Sequence, residues 1–261
     1  MENNYNKVAK VANEGYELDF GLVFEKSFDN FKKIWGIAGV SFLLVGIILL
    51  VVIFSVAGIF VGFSDFTSLL TDLNPQLMTS SALIGLIVGS IIFAGLFSPI
   101  NAGFIKMAYL ADTNQPFGIN TIFDYFKTSH FKELFISASA ITLIGSGLGY
   151  VLEYYKILFV GNLISILVSF FTILTIPLII FSDLKAFEAI TMSIKLVAKR
   201  PFILLALFIV ALLFVSLGIF ALCIGILFTI PFMFSLYYVI YKSIIPIERT
   251  DELDEIGISK D

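Results

Sequence analysis

The chain has 261 residues, of which 59% are hydrophobic and 14% are charged, and its formal net charge is −4. Soluble domains average about 45–50% apolar and about 25% charged residues, so this composition cannot supply the polar surface of a soluble domain of this size. It excludes a cytosolic enzyme, a disordered chain and a nucleic-acid-binding protein, and a single cysteine excludes an intramolecular disulfide. The class that remains is a polytopic membrane protein.

The N-terminal residues 1–33 are polar and charged, unlike the apolar chain that follows them. They lack the short basic stretch, apolar run and small-residue cleavage site of a secretory signal. The first apolar segment is therefore expected to remain in the mature protein as a membrane anchor. We predict a polar N-terminal tail over residues 1–16, a membrane domain over residues 17–247 and an acidic C-terminal tail over residues 248–261.

Six apolar segments follow, and each can cross a membrane as a helix. The hydrocarbon core of a bilayer is about 30 Å thick and requires roughly 20 apolar residues. The last two segments form one uncharged run over residues 202–241. As a single helix this run would be about 60 Å long, so it must fold back near residues 218–223. We predict spans over residues 35–63, 81–111, 134–152, 158–181, 202–217 and 222–241.

The distribution of basic residues predicts the orientation of these spans. With six spans, fifteen of the sixteen Lys and Arg residues lie on one side of the membrane, and only Lys156 lies on the other. Because cytoplasmic loops carry an excess of Lys and Arg, we predict that both termini are cytoplasmic. A five-span alternative would place the C-terminal basic residues outside and would blur this division.

The charged segment before each odd-numbered span has apolar residues at steps of three and four, which is typical of an amphipathic helix. Such a helix can lie in the plane of the lipid headgroups. We predict these interfacial helices over residues 18–34, 118–131 and 184–200. Their apolar faces comprise Phe20, Phe24, Phe28, Phe31 and Trp35 in the first, Ile119, Ile122, Phe123 and Phe126 in the second, and Leu184, Phe187, Ile190, Ile194 and Val197 in the third. The basic residues expected to contact lipid headgroups are Lys32, Lys33, Lys127, Lys132, Lys195, Lys199 and Arg200.

One proline lies in each even-numbered span, at Pro99, Pro177 and Pro231, and none lies inside an odd-numbered span. Proline is common in membrane helices, so each one alone carries little information. Their regular placement favours a threefold repeat, in which an amphipathic helix is followed by a helical hairpin. A proline frees the carbonyl four residues before it, and we therefore expect a kink at each of the three positions.

Few residues in the predicted spans could perform chemistry. Ionisable side chains are almost absent from the spans, which argues against a proton- or ion-coupled pump. Asn101 and Asn162 are the main buried polar candidates, and we interpret both as interhelical hydrogen-bonding residues. The only histidine, His130, cannot form a multi-histidine metal site, and Ser146 lacks the full Gly-x-Ser-x-Gly pattern. We predict no catalytic, cofactor-binding or metal-binding residue.

The segment before the fifth predicted span carries a recognisable pattern. It contains Asp183, the step Glu188-Ala189-Ile190, Ser193 and the basic pair Lys199-Arg200. Together with the continuation to Tyr241, this pattern resembles the six-span membrane domain attached to some bacterial glycerophosphodiester phosphodiesterases and its stand-alone YciC-type relatives. The resemblance implies the six-span plan and a bacterial inner membrane. No catalytic residue carries over, because the phosphodiesterase activity of that family belongs to a soluble barrel that this chain lacks.

Two functions remain open at this point. The first is a non-catalytic inner-membrane protein that engages lipid or a partner protein through its basic, amphipathic cytoplasmic face. The alternative is a small-molecule or lipid transporter, or a substrate-binding membrane subunit, because discontinuous helices often line sites near the membrane midplane. We expect the bilayer, anionic lipids and other membrane proteins as partners, with no nucleic acid and no cofactor.

Overall fold

The computed structural model describes residues 2–60, 75, 78–157, 159–220 and 224–247. These residues form helices and short connections, and no strand occurs among them. The prediction of an all-α protein is confirmed. The predicted C-terminal tail, most of the loop after the first span, and Cys223 lie outside the described residues.

Six helical segments are long and apolar enough to cross a membrane, which confirms the predicted multi-pass architecture. We call them spans 1 to 6, and they are Phe20–Val52, Ser80–Asp112, His130–Tyr154, Val160–Ser182, Pro201–Ile219 and Gly225–Ile244. Spans 4 and 6 are the most enclosed, because 44% and 50% of the residues in their most apolar stretches are buried, against 22–28% in the other four spans. The core therefore forms around spans 4 and 6.

Several spans consist of more than one regular helix. Span 1 belongs to the helix Phe20–Phe60, and span 2 is the single helix Ser80–Asp112. Span 3 comprises the helix His130–Thr142, a π-helical turn Leu143–Gly147 and the helix Leu148–Tyr154. Span 4 comprises Val160–Phe171 and Thr175–Ser182. Span 5 contains the helix Pro201–Ser216 and part of the 3₁₀ turn Leu217–Phe220. Span 6 contains all but the first residue of the helix Ile224–Thr229, and the helix Pro231–Ile244.

The first predicted interfacial helix is not a separate element. Residues 20–34 run into span 1 as part of one helix of 41 residues, and no proline interrupts them. Two of their aromatic side chains pack against other spans: the Phe24 ring lies 5.8 Å from that of Phe232, and the Phe31 ring lies 5.5 Å from that of Phe214. Phe20 is exposed. The amphipathic segment is therefore helical, and part of its predicted apolar face packs against spans 5 and 6 of the protein.

The second predicted interfacial helix is a 3₁₀ helix, Ile119–Lys127, which we call the connecting 3₁₀ helix. Ile122 is fully buried, whereas Phe123 and Phe126 are exposed. A Cβ atom on Gly103 of span 2 would lie 2.4 Å from the Cα atom of Ile122. Only glycine at this position allows the two backbones to approach so closely.

The third predicted interfacial helix is observed as Ala186–Lys199, which we call the connecting helix. Part of its predicted apolar face is buried in the protein, and part is exposed. Leu184, just before the helix, and Val197 are buried, whereas Phe187 is 67% exposed and Ile194 is 43% exposed. The face that packs on the spans is formed instead by small and flexible side chains: Ala186, Ala189, Met192, Ser193 and Leu196.

The predicted polar N-terminal tail contains a helix, Glu2–Glu14, which we call the N-terminal helix. Val8 and Ala12, four residues apart on one face, are buried in the protein core. The helix packs on the connecting helix and on the end of span 4. Polar composition alone suggested a tail, but two small apolar residues on one face were enough to dock it.

A buried asparagine joins three spans. Asn30 of span 1 donates from Nδ2 to the carbonyl oxygen of Ala108 in span 2, at 2.7 Å. Its Oδ1 accepts a hydrogen bond from the hydroxyl of Ser235 in span 6, at 2.8 Å. Asn30 is only 4% exposed, so these bonds replace the water that its amide loses on burial.

We expect Asn30→Ala to lower the free energy of unfolding by about 1–3 kcal/mol, because Ser235 loses its acceptor in a buried site. Ser235→Ala removes one bond and leaves the Asn30–Ala108 bond in place, so its effect should be smaller. Thermal or denaturant unfolding of both single variants and the double variant measures the coupling. Strictly additive effects would show that the two side chains do not interact.

Candidate functional site

A cavity of about 530 Å³ lies among spans 2, 3, 4 and 6. Its lining residues come from the middle of each span and extend towards the end nearer the connecting helices. Most of the wall is apolar. The polar side chains in the wall are Ser98, Asn101, Ser137, Thr142, Ser169, Thr172, Thr175 and Tyr237.

The three prolines of the even-numbered spans surround this cavity. Ser98 precedes Pro99, Ile176 precedes Pro177, and Met233 lies two residues after Pro231, and all three neighbours line the cavity. The π-helical turn of span 3 also begins directly after the lining residue Thr142. Irregular backbone in a membrane is tolerated where it is buried in protein or lines a cavity, and the observed positions agree with that rule.

Span 4 is broken before Pro177, between Phe171 and Thr175. The break is stabilised from outside the span by Ser193 of the connecting helix. Its hydroxyl donates to the carbonyl oxygen of Phe171 at 2.9 Å and accepts from the backbone N–H of Leu174 at 3.1 Å. Ser193 is fully buried, so it satisfies two backbone groups that the lost helical turn leaves without partners.

Span 6 is broken at Ile230, immediately before Pro231. The hydroxyl of Thr229 donates to the carbonyl oxygen of Val215 in span 5 at 3.0 Å and also lies 3.2 Å from that of Ile226. The helix is therefore broken before Pro231. A hydrogen bond from Thr229 joins the residues at this break to span 5.

Span 2 differs from the other two, because its helix continues without a break through Pro99. The helix is not broken at this proline, and the kink predicted there stays a prediction. Proline removes only the single bond that residue 99 would donate to Gly95, and the helical bonds on either side persist. Gly95 instead makes room for span 3, since a Cβ atom there would lie 2.7 Å from the ring of Phe135.

Two hydroxyl groups in the cavity wall have no hydrogen-bond partner. The Oγ of Ser98 and the Oγ1 of Thr175 are buried and unpaired. Asn101, predicted to bond between helices, is half-buried in the same wall, and no bond from its amide to another described residue is observed. Buried polar atoms are rarely left unpaired unless an unseen water, ion or ligand completes them.

The second predicted buried asparagine lies elsewhere. Asn162 is exposed near the far end of span 4. Thr175 and Thr229 were not among the residues singled out from the sequence. Both could have been noticed, because each begins the string Thr-Ile-Pro, which occurs at residues 175–177 and 229–231. Thr229 is hydrogen-bonded to span 5, whereas Thr175 is unpaired beside the cavity. The same local string therefore supports structure in span 6 and leaves a free hydroxyl in span 4.

Four of the predicted headgroup contacts are engaged within the protein. Lys32 forms an ion pair with Asp29 at 2.7 Å, and Lys33 donates to the carbonyl oxygen of Ala111 at 3.3 Å. Lys199 and Arg200 donate to backbone carbonyl oxygens of the N-terminal segment, at Asn13 and Tyr16. Burial raises the pKa of the Tyr16 phenol to about 12, against the lowering effect of Arg200, so the phenol stays neutral and donates to Leu196 at 2.9 Å.

The other three predicted contacts, Lys127, Lys132 and Lys195, are exposed. No partner for any of the three is observed among the described residues. They lie on the connecting 3₁₀ helix, at the start of span 3 and on the connecting helix, which belong to the same face of the bundle as the N-terminal helix. We call this face the basic face.

A network of charged residues closes the bundle at the basic face. Asp112, at the end of span 2, accepts hydrogen bonds from Tyr238 at 2.7 Å and from Lys242, both in span 6. Lys106 of span 2 pairs with Asp124 of the connecting 3₁₀ helix, and His130 lies 2.7 Å from Asp183. These pairs join the connections to the ends of the spans and lie outside the cavity.

No protein-family model, curated protein or solved structure matches the chain. Function must therefore be inferred from the geometry of the cavity and of the basic face.

We expect Ser193→Ala to lower the free energy of unfolding by about 1–3 kcal/mol, because it leaves two buried backbone groups at the break in span 4 without partners. Ser41→Ala is the matched control: Ser41 is also buried, but its hydroxyl only donates to Ile37 within its own helix. Thermal unfolding in detergent measures the stability of both variants. An equal effect of the two substitutions would contradict the role assigned to Ser193.

Proposed function

We propose that this chain is a non-catalytic integral membrane protein that binds a membrane-soluble molecule in the cavity among spans 2, 3, 4 and 6. It would act as a lipid or small-molecule transporter, or as a substrate-binding membrane subunit. The observation that carries the proposal is a cavity of about 530 Å³ whose wall holds two buried, unpaired hydroxyl groups. Ligand sites are typically about 300–1,000 Å³ in volume and mostly apolar, with a few placed polar groups.

The position of the cavity supports this proposal. Transporter sites commonly lie near the membrane midplane, at helices that are interrupted there. Here the helices of spans 4 and 6 are both broken beside the cavity, and span 3 carries a π-helical turn there. The breaks are held by hydrogen bonds from Ser193 and Thr229, so the irregular backbone is built into the fold.

The chemistry of the wall supports a role in binding rather than catalysis. Among the described residues that line the cavity there is no acid, lysine or histidine. A serine or threonine hydroxyl needs a general base within hydrogen-bond reach to become a nucleophile. His130 contacts Asp183 at the basic face instead.

We further propose that the protein lies in a bacterial inner membrane with both termini in the cytoplasm. The excess of Lys and Arg on one side of the spans supports this orientation. The resemblance to the membrane domain of glycerophosphodiester phosphodiesterases also stays a prediction.

Ala138→Phe should reduce the amount of small molecule or lipid that co-purifies with the protein, because the added ring occupies the cavity. Because the ring takes space that the bound molecule needs, we expect retention to fall by about tenfold, which corresponds to about 1.4 kcal/mol of binding free energy. The amount of co-purified molecule is measured by mass spectrometry of extracts from protein purified in mild detergent. Ala140→Phe is the control, since Ala140 lies on the same helix but does not line the cavity. Equal retention in both variants would remove support for the cavity as a binding site.

A second candidate function is engagement of anionic lipid or a partner protein by the basic face. Its supporting observation is the exposed surface of the connecting helix, where Phe187, Ile194 and Lys195 are all exposed. A helix with apolar side chains and lysines on its exposed surface is suited to the headgroup region. Lys127 and Lys132 add exposed positive charge to the same face.

For this second candidate, replacing Lys127, Lys132 and Lys195 together by Gln should weaken retention of phosphatidylglycerol by about 100-fold, since each basic residue near an anionic surface contributes about 1 kcal/mol. The measurement is the ratio of phosphatidylglycerol to phosphatidylethanolamine bound to purified protein. Replacement of Lys32, Lys199 and Arg200, which are exposed but already bonded to other groups of the protein, is the matched control. The idea is contradicted if the control variant loses as much anionic lipid as the test variant.

A further inference from the structure

We propose that the ligand of the cavity is an uncharged lipid of the monoacylglycerol type. Its hydroxyl-bearing head would lie beside Ser98 and Thr175, and its hydrocarbon chain would lie in a cleft between spans 3 and 4. This inference rests on the proposed binding function and names the chemical class of the ligand. It depends on three observations, which concern charge, unpaired hydrogen-bonding groups and a second, apolar space.

The cavity has no means of neutralising a charged ligand. No residue that lines it, among those the structure describes, carries a charge, and the same is true of the adjoining cleft. An ion moved out of water without a counter-charge costs several kcal/mol even after relaxation of the protein. A phosphate, carboxylate or ammonium head is therefore disfavoured in this space.

The cavity nevertheless requires a polar ligand group. The hydroxyls of Ser98 and Thr175 are buried without partners, and a hydroxyl can both donate and accept. A pure hydrocarbon would leave them unsatisfied, at a cost of about 1–3 kcal/mol for each buried group. Asn101 and Tyr237 supply further uncharged polar groups in the same wall. A head with hydroxyl and ester oxygens matches this set.

The apolar cleft beside the cavity provides a place for a hydrocarbon chain. It has a volume of about 240 Å³, is also lined by Ile190 and Ile194 of the connecting helix, and shares Ile141 and Thr172 with the cavity, so the two spaces are adjacent. The hydroxyl of Thr172 donates to Val168 within its own helix at 2.7 Å, which leaves the cleft without an unsatisfied polar group. Ile144 and Leu167 at the cleft are exposed on the apolar outer surface. A chain could therefore enter from the bilayer.

The test compares two lipids that share an oleoyl chain and differ in head charge. The full-length protein in detergent is titrated with monoolein and with oleoyl lysophosphatidic acid, and binding is followed by native mass spectrometry. We expect monoolein to bind at least about 100-fold more tightly, because the phosphate would be buried without a counter-charge. Equal or tighter binding of the phosphate lipid, abolished by Ala138→Phe, would overturn the neutral-lipid inference but retain the proposed binding function.

If neither lipid binds and Ala138→Phe changes nothing that co-purifies, the proposed function itself fails. If another molecule co-purifies and is lost in Ala138→Phe while monoolein does not bind, only the ligand class is wrong. These outcomes separate the inference from the proposal on which it rests.

Variants of the hydroxyl groups test where the head lies. Ser98→Ala and Thr175→Val should each weaken monoolein binding by about tenfold without lowering the unfolding temperature of the lipid-free protein, because neither hydroxyl has a partner there. Ser137→Ala is the matched control: Ser137 lines the same cavity, but its hydroxyl donates to Leu134 at 3.1 Å. If Ser98→Ala and Thr175→Val weaken monoolein binding no more than Ser137→Ala does, the proposed position of the lipid head is wrong.

Discussion

The fold depends on one constraint, which is that a backbone N–H or C=O group in a bilayer must find its partner inside the protein. Continuous helices satisfy it without help, and most of the six spans do so along most of their length. Where a helix is broken, another element must supply the missing hydrogen bonds. Ser193 does this for span 4. At the break in span 6, the hydroxyl of Thr229 donates to the carbonyl oxygen of Val215 and so joins the broken span to span 5. The break in span 4 lies in the wall of the cavity.

The connecting helix therefore has two structural roles. Its buried face holds the break in span 4 through Ser193. At its end, Lys199 donates to Asn13 of the N-terminal helix, and Arg200, just after the helix, donates to Tyr16. Its exposed face carries Phe187 and Lys195 outward. One short helix thus contacts the wall of the cavity on one side and presents an amphipathic surface on the other. The two candidate functions meet at this element, since anything that moves the helix would also disturb the break beside the cavity.

Much of the architecture could be predicted because membrane helices are encoded locally. Twenty apolar residues must form a helix in a bilayer, so the six spans and the places where prolines weaken spans 4 and 6 follow from local sequence. Local sequence did not determine which apolar faces pack inside the protein and which remain exposed. Phe24 and Phe31 have the same spacing as residues of a surface helix, and only the presence of Phe232 and Phe214 across the bundle made them core residues. Val8 and Ala12 likewise became buried because the connecting helix lies beside them.

Local composition was sufficient for the helical class, the number of spans and the polar character of the connections, since each depends on residues close together along the chain. The cavity depended on the tertiary structure. Ser98 and Thr175 are 77 residues apart, and neither differs locally from the serines and threonines that bond to their own helices, such as Ser41. Packing of four spans placed both hydroxyls in one wall without partners. Hydrogen bonding between distant segments is a property of the assembled bundle, and local sequence does not specify it.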